Sequence, residues 1–251
     1  MGKLCLKNWH RQFFKNYFYN PATPFSIKKA KSEVDFIIKK TGINKEWKIL
    51  DLCCGPGRHS IIFAKRKYDI TGIDFSPEYL NEARKKAKKL NLKIKFIRKD
   101  MRNINFKDEF DLVLNLFTSF GYFINEKDDL KVLKNINIAL KKNGLLLIDI
   151  LNGNFVRKNF RPRNWQIIED GTYHLEETKL INNGKDSINT WIRIKRGKTI
   201  KRIFFLRLYN KKRISQALLK MGFKPIKFWG NFKGKKLSDK TNRLIVLAKK
   251  Y

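Results

Sequence analysis

Residues 49–60 read Ile49-Leu50-Asp51-Leu52-Cys53-Cys54-Gly55-Pro56-Gly57-Arg58-His59-Ser60. The apolar stretch from Trp47 to Leu52 predicts a short buried strand, and Cys54-Gly55-Pro56-Gly57 predicts the turn that ends it. A helix through Ile61, Ile62 and Ala64 follows at once. Glycines in such a turn let backbone approach a ligand closely, and the helix that follows points its free N–H groups at the same spot. In an open α/β sheet that spot lies beyond the carboxyl end of a strand, near the place where strand order reverses.

The same alternation continues in both directions. Upstream, Ile27, Ala30, Val34 and Ile37/Ile38 recur at helical spacing with Gly42 as the cap. Downstream, Tyr68 to Ile73 reads as a strand ending at Asp74. Ser76-Pro77 then opens a helix whose apolar face is Leu80, Ala83, Ala87 and Leu90. Further strands are expected over Lys93 to Arg98, Phe110 to Leu116 and Leu145 to Ile150, with a helix through Leu130, Leu133, Ile136 and Leu140 before the last. Repeated βαβ units mean a mostly parallel sheet covered on both faces. After residue 151 the pattern changes. From Trp165 to Tyr209, alternating segments meet turns at Asp170-Gly171, Asn182-Asn183-Gly184 and Arg196-Gly197, which predicts an inserted antiparallel β-meander. A helix over Ile214, Leu218 and Met221 resumes the frame. Two final strands, Pro225 to Gly230 and Arg243 to Ala248, are joined by a link too polar for a crossover helix, so they pair antiparallel. The expected division is an aromatic lid at 1–26, a core of 27–156 and 210–251, and an insertion at 157–209.

The chain has 251 residues, 42% of them hydrophobic, enough to build a sizeable core. No apolar run approaches the ~18 residues of a membrane-spanning helix, and no signal-like stretch opens the chain. Three cysteines, Cys5, Cys53 and Cys54, lack the spacing of a disulfide framework or a metal site. The protein is read as cytoplasmic, with no membrane partner and no metal. Its 57 Lys plus Arg against 22 Asp plus Glu leave a formal charge of +35, which would attract any polyanion. The excess is mostly Lys, spread along the chain and accompanied by abundant Ile, Asn and Phe. That is the mark of compositional drift, so a nucleic-acid partner is possible but not required. Oligomeric state is not legible.

Acidic residues stand at successive strand ends. Asp74 lies 19 positions after Gly55, the spacing at which a carboxylate accepts from ribose hydroxyls. Asp100 closes the third strand, where it can accept from an adenine amino group with Met101 packing on the base. Each alone has a plain alternative: Asp74 as a cap of the Ser76 helix, Asp100 as a turn residue. Together with the glycine turn they describe a nucleoside site.

With these motifs the chain resembles the class I S-adenosylmethionine-dependent methyltransferases. The resemblance rests on residues 49–60, on Thr71-Gly72-Ile73-Asp74-Phe75-Ser76, on Asp100-Met101-Arg102 and on Leu140-Lys141-Lys142-Asn143-Gly144. It implies a Rossmann-like, seven-stranded α/β sheet with an antiparallel last strand, and S-adenosyl-L-methionine as cofactor. It further implies that Asp51, Cys53, Gly55 and Gly57 hold the methionine portion and Asp74 the ribose. Phe75 and Met101 would flank adenine, Asp100 would bond its amino group, and Asn115 and Phe117 would line the cofactor near its methyl group. The family commonly has glycine at the place of Cys53, which implies a backbone contact there. His59 is expected as a helix-surface imidazole.

The aromatic opening and the meander are similar to the branch that acts on small molecules, glycine- and sarcosine-type N-methyltransferases among them. A small-molecule N or O acceptor is therefore expected, with Tyr17, Tyr19, Phe120, Tyr122 and Tyr209 as a dry lid bearing hydroxyls. No catalytic base is assigned, since nothing around His10 or His174 singles either out. An RNA- or protein-directed methyltransferase is the alternative that the charge favours. Against it, the fourth strand ends in Asn115-Leu116-Phe117-Thr118 and lacks the Asn/Asp-Pro-Pro-aromatic motif of many base-amino methyltransferases.

Overall fold

The computed structural model describes residues 9–251 except 20, 22 and 169. Cys5 and the opening of the aromatic segment lie outside the described residues, as does the side chain of Tyr17. The frame is a seven-stranded sheet built from β1 (Lys48–Leu52), β2 (Asp69–Asp74), β3 (Lys95–Arg98), β4 (Phe110–Asn115), β5 (Leu140–Leu151), β10 (Phe223–Trp229) and β11 (Arg243–Lys250). Their order is β10-β11-β5-β4-β1-β2-β3. β1 to β5 run parallel, while β11 is antiparallel to both β5 and β10. Strand order reverses between β1 and β4, which pair through Ile49–Leu112, Leu50–Val113 and Asp51–Leu114.

Adjacent residues of each strand serve opposite faces, as the pleat demands. Ile49, Leu112, Leu114, Leu147 and Ile245 pack with Val34 and Ile37 of α2 (Pro24–Thr41) and Phe63 of α3 (Arg58–Lys65). Leu50, Val113, Ile148 and Val246 pack on the other side with Leu133 and Ile136 of α5 (Glu126–Ala139) and Leu218 of α7 (Lys211–Lys220). The helix caps follow the sequence: Gly42 ends α2 in the left-handed region, and the Ser76 hydroxyl accepts from the Tyr79 amide to open α4 (Pro77–Lys89). Among the described residues, no helix is long and apolar enough to cross a membrane.

One boundary differs from the sequence reading. Leu140 does not close the helix before β5. α5 stops at Ala139, and β5 starts at Leu140, opposite Phe110, with a register shift that re-aligns the strand by Leu145. Asn143 takes φ +66 inside this irregularity, and a Cβ on Gly144 would come within 2.9 Å of the Lys141 carbonyl. A short helix, α6 (Gly153–Lys158), also follows β5 without a clear periodic signal.

The second sheet is an antiparallel meander, β6 (Arg163–Ile167), β7 (Tyr173–Ile181), β8 (Asp186–Lys195) and β9 (Lys198–Arg207), in the order β6-β7-β8-β9. Lys195 pairs with Lys198, so Arg196-Gly197 is a two-residue hairpin, and both residues have positive φ (49° and 72°). That is the backbone a tight hairpin's twist demands. Phe204 of β9 meets Phe13 of α1 (Trp9–Phe13) with ring centres 4.7 Å apart, and Trp191 of β8 lies tilted against Phe13 at 5.4 Å. Among the described residues, Trp9, Phe13 and Phe18 of the aromatic opening thus pack against the meander.

Candidate cofactor and active site

A cavity opens at the carboxyl ends of β1, β2, β3 and β4, where strand order reverses. It contains about 940 Å³ of empty space, counting the open solvent at its mouth. Its floor is the turn after β1. Cys53 there adopts φ +65, Gly55 φ +55 and Gly57 φ +75, so three of five successive residues are left-handed. That conformation costs an L-residue roughly 1–2 kcal/mol. Glycine at position 53 would avoid the cost, a physical basis for the glycine implied there by the family resemblance. Here the Cys53 thiol instead sits 3.5 Å from the Met101 sulfur and lines the cavity. Burial and the neighbouring acids push both Cys53 and Cys54 far above their ordinary pKa, so neither is a reactive thiolate.

Asp74, buried at the end of β2, accepts from the Gly55 amide (2.8 Å) through one carboxylate oxygen and from the Ser76 amide (2.9 Å) through the other. It therefore ties the glycine turn to the start of the next helix, as the cap reading of the sequence expects. Its side chain lines the cavity. Burial raises its pKa to about 6 against the hydrogen bonds from Ser76 and Gly55. Asp100 also lines the cavity and pairs with Arg102 at 2.7 Å. Burial pushes its carboxyl up, but the bonds and charge of Arg102 prevail and hold it below the usual carboxylate range. Asp51, deep in the floor, accepts from the Ser60 hydroxyl, and burial pushes its pKa up.

Phe75, Met101 and Phe123 line one end of the cavity beside Asp74 and Asp100. This pairing of apolar surfaces with carboxylate acceptors suits a flat base carrying an amino group and a ribose carrying hydroxyls. Gly55 suits close approach, since a Cβ there would stand 3.6 Å from Pro21 in the opposite wall. By donor set and shape, these residues fit S-adenosylmethionine. Asp51, Cys53, Phe117, Tyr19 and Tyr122 share the same cavity.

Other expected residues fall outside the lining. Gly57 is the N-cap of α3, and a Cβ there would crowd Ala83 and Phe96 at 3.1 Å. Asn115 is fully buried behind the wall, where its amide donates to the Leu52 carbonyl and its own oxygen has no partner among the described residues. Phe120 and Tyr209 are core residues rather than lid: they pack on each other at 5.3 Å, and the Tyr209 hydroxyl donates to Asp129. His174 lies in the meander beside Trp191 and bonds Glu176. His59 is not a surface imidazole. It is buried, lines the cavity and pairs with Glu33 of α2 at 2.7 Å.

Several lining residues carry no separate signal in the sequence. Phe14 and Tyr79 bring rings from the lid and from α4, and the Tyr79 hydroxyl donates to the Tyr19 carbonyl. His10 meets Phe75 edge-on at 5.5 Å, and burial lowers its pKa. Tyr19, with its pKa raised to about 12, and Tyr122, raised further, are both shifted by burial and keep their protons at neutral pH. Arg58 is the least expected of the lining side chains, although it stands inside the quoted motif.

The Asp74 shift sets a pH dependence. If Asp74 is the ribose acceptor that the motif implies, the hydroxyls donate to the ionised carboxylate, and a bound adenosine lowers the Asp74 pKa from about 6. Affinity for S-adenosylhomocysteine is then level above pH 6 and falls towards roughly tenfold per pH unit below it. Calorimetric titrations between pH 5 and 8 check this; an affinity flat down to pH 5 would remove Asp74 from the contact.

Residues 49–144 match a family model described as a methyltransferase domain. The chain is 35% identical over 112 residues to a putative methyltransferase, YqeM, of Bacillus subtilis (strain 168), covering 44% of this chain and 45% of that one. It is 32% identical over 126 residues to a glycine/sarcosine N-methyltransferase of Parasynechococcus marenigrum (strain WH8102), covering 49% and 45%. The chain thus spans about half the length of the curated relatives it matches. In fold it is similar to the crystal structure of an S-adenosylmethionine-dependent methyltransferase from Clostridium acetobutylicum ATCC 824, with a TM-score of 0.78 at 22% identity over 97% of this chain and 99% of that one. The matched segment runs from β1 into β5, the part of the sheet that builds the cavity floor, and the strand order around it is the one the motifs require. Residues 49–144 are thus a methyltransferase domain, set in a sheet with the fold of the S-adenosylmethionine-dependent methyltransferase structure.

Proposed function

We propose that this protein transfers a methyl group from S-adenosylmethionine to a nitrogen or oxygen atom of a small molecule. The observation that carries the reading is the cavity at the strand-order reversal, lined by Asp51, Asp74 and Asp100 and by His10, Phe14, Tyr19 and Pro21 of the lid. The cofactor supplies a methyl group already made electrophilic by its sulfonium, so the protein's part is alignment and dryness. Asp74 takes the ribose hydroxyls and Asp100 the adenine amino group, with Phe75 and Met101 on the base. The protonated Tyr19 and Tyr122 hydroxyls orient the acceptor rather than deprotonate it. His10, packed on Phe75 at the adenine end, is remote from that task, and the acceptor reacts as a neutral nucleophile. The glycine/sarcosine N-methyltransferase relative supports a small amino acceptor.

A second reading, an RNA-directed enzyme, is favoured by the +35 charge alone. Incubation with methyl-labelled cofactor and an extract of small metabolites, then with total RNA, tests both. Label in the small-molecule fraction supports the proposal. Label only in RNA overturns it in favour of the second reading. RNA binding that weakens steeply with salt and carries no label is charge attraction.

A further inference from the structure

Asp74 and Asp100 occupy the adenosine end, while Arg58 stands in the wall with Phe117, and the field of Arg58 and Arg243 reaches the Tyr19 hydroxyl. Arg58 is the first residue of α3, and its side chain is only 6% exposed. One guanidinium nitrogen, Nη1, donates to the Ser26 carbonyl at 2.9 Å and lies 3.4 Å from Glu33. The guanidinium carbon is 4.4 Å from the centre of the Phe117 ring. Phe117, at φ +58, donates its backbone N–H to the Asp149 carboxylate (2.9 Å). The other nitrogen, Nη2, is buried and has no hydrogen-bond partner among the described residues.

A buried charged donor left unsatisfied is costly, and a planar fork is the shape that receives a carboxylate. From this we infer that Arg58 is a carboxylate-binding residue of the cavity, with Nη2 donating to the ligand. Glu33 and Ser26 fix the near side of the fork, and Phe117 supports its face. The inference rests on the proposed function for the identity of its neighbours in the site. Two carboxylates have the required chemistry: that of the cofactor's own amino-acid portion and that of an acidic acceptor.

The test compares three probes on wild type and Arg58→Met, which keeps an apolar stem against Phe117. S-adenosylhomocysteine carries the amino-acid carboxylate, and 5′-methylthioadenosine lacks it. Acetate is titrated onto the protein alone and onto the protein saturated with S-adenosylhomocysteine. If the cofactor's carboxylate is the ligand, Arg58→Met weakens S-adenosylhomocysteine about ten- to hundredfold and leaves 5′-methylthioadenosine within twofold. If the acceptor's is, both nucleosides bind as in wild type, while acetate binds the saturated wild type and not the variant. Equal binding of all three probes by variant and wild type overturns the inference. Should wild type bind neither nucleoside, the proposed function fails, and acetate on the protein alone still decides the role of Arg58. Should Arg58→Met fail to fold, Arg58→Lys carries the same comparison. It keeps the charge but loses the fork, so the carboxylate probe weakens and 5′-methylthioadenosine does not.

Discussion

Asp74→Ala abolishes the thermal stabilisation that S-adenosylhomocysteine gives the wild-type protein. A ligand that binds only the folded state at one hundred times its Kd contributes about 2.7 kcal/mol. For a chain of this size that is a shift of roughly 5–10 °C in Tm. Alanine at position 74 removes two things together. On the proposed function the ribose loses its carboxylate, and the amides of Gly55 and Ser76 lose the acceptor that fixes the glycine turn. Asp74→Asn separates them in part, because an amide presents one acceptor and one donor where both backbone partners are donors. It keeps one of the two anchors, and its shift is also lost or reduced to a degree or two. A full shift in Asp74→Ala would show that the nucleoside binds elsewhere.

Arg207→Met unfolds the protein at a much lower temperature than wild type. Arg207 of β9 donates to Asp129 of α5, to the Phe123 carbonyl at 2.8 Å and to the Ile124 carbonyl at 2.9 Å. Asp129 is fully buried and otherwise receives only the Tyr209 hydroxyl at 3.1 Å among its side-chain bonds. Removing the guanidinium leaves a carboxylate in the core and two carbonyls unpaired, which costs about 3–5 kcal/mol. That corresponds to a fall in Tm of roughly 6–20 °C. Because Phe123 lines the cavity, affinity for S-adenosylhomocysteine falls with it. The double variant Arg207→Met with Asp129→Leu recovers much of the loss, since no charge is then left unpaired. Thermal and urea unfolding measure both; a loss below about 1 kcal/mol for the single variant would mean that Asp129 is solvated or protonated without cost.

The parts of this molecule that were legible in the sequence are those set by local pattern. The turn at Gly55 and Gly57, the acid at Asp74 and the hairpin at Arg196-Gly197 are dictated by backbone conformation and strand-end position, which neighbouring residues encode. The side chains around the cavity were only partly legible, because which way a ring points is decided by distant packing. Tyr122 and Phe120 are two residues apart in one loop, yet one lines the cavity and the other is buried against Tyr209. His59 is exposed by the reading of its own helix and buried by α2, whose Glu33 is 26 positions away. Leu140 continues the helical period of α5, and only its pairing with Phe110 draws it into β5. Arg58 stood in plain view between two glycine-turn residues and a histidine, but a missing hydrogen bond is a property of the assembled wall.

The most direct test of the whole account is a crystal structure of the protein grown with S-adenosylhomocysteine. The expected result is a ligand in the cavity at the ends of β1 to β4, its adenine between Phe75 and Met101 and its ribose hydroxyls on Asp74. A ligand bound elsewhere, or crystals grown at millimolar ligand in which residues 74 and 100 contact no adenosine, would contradict it.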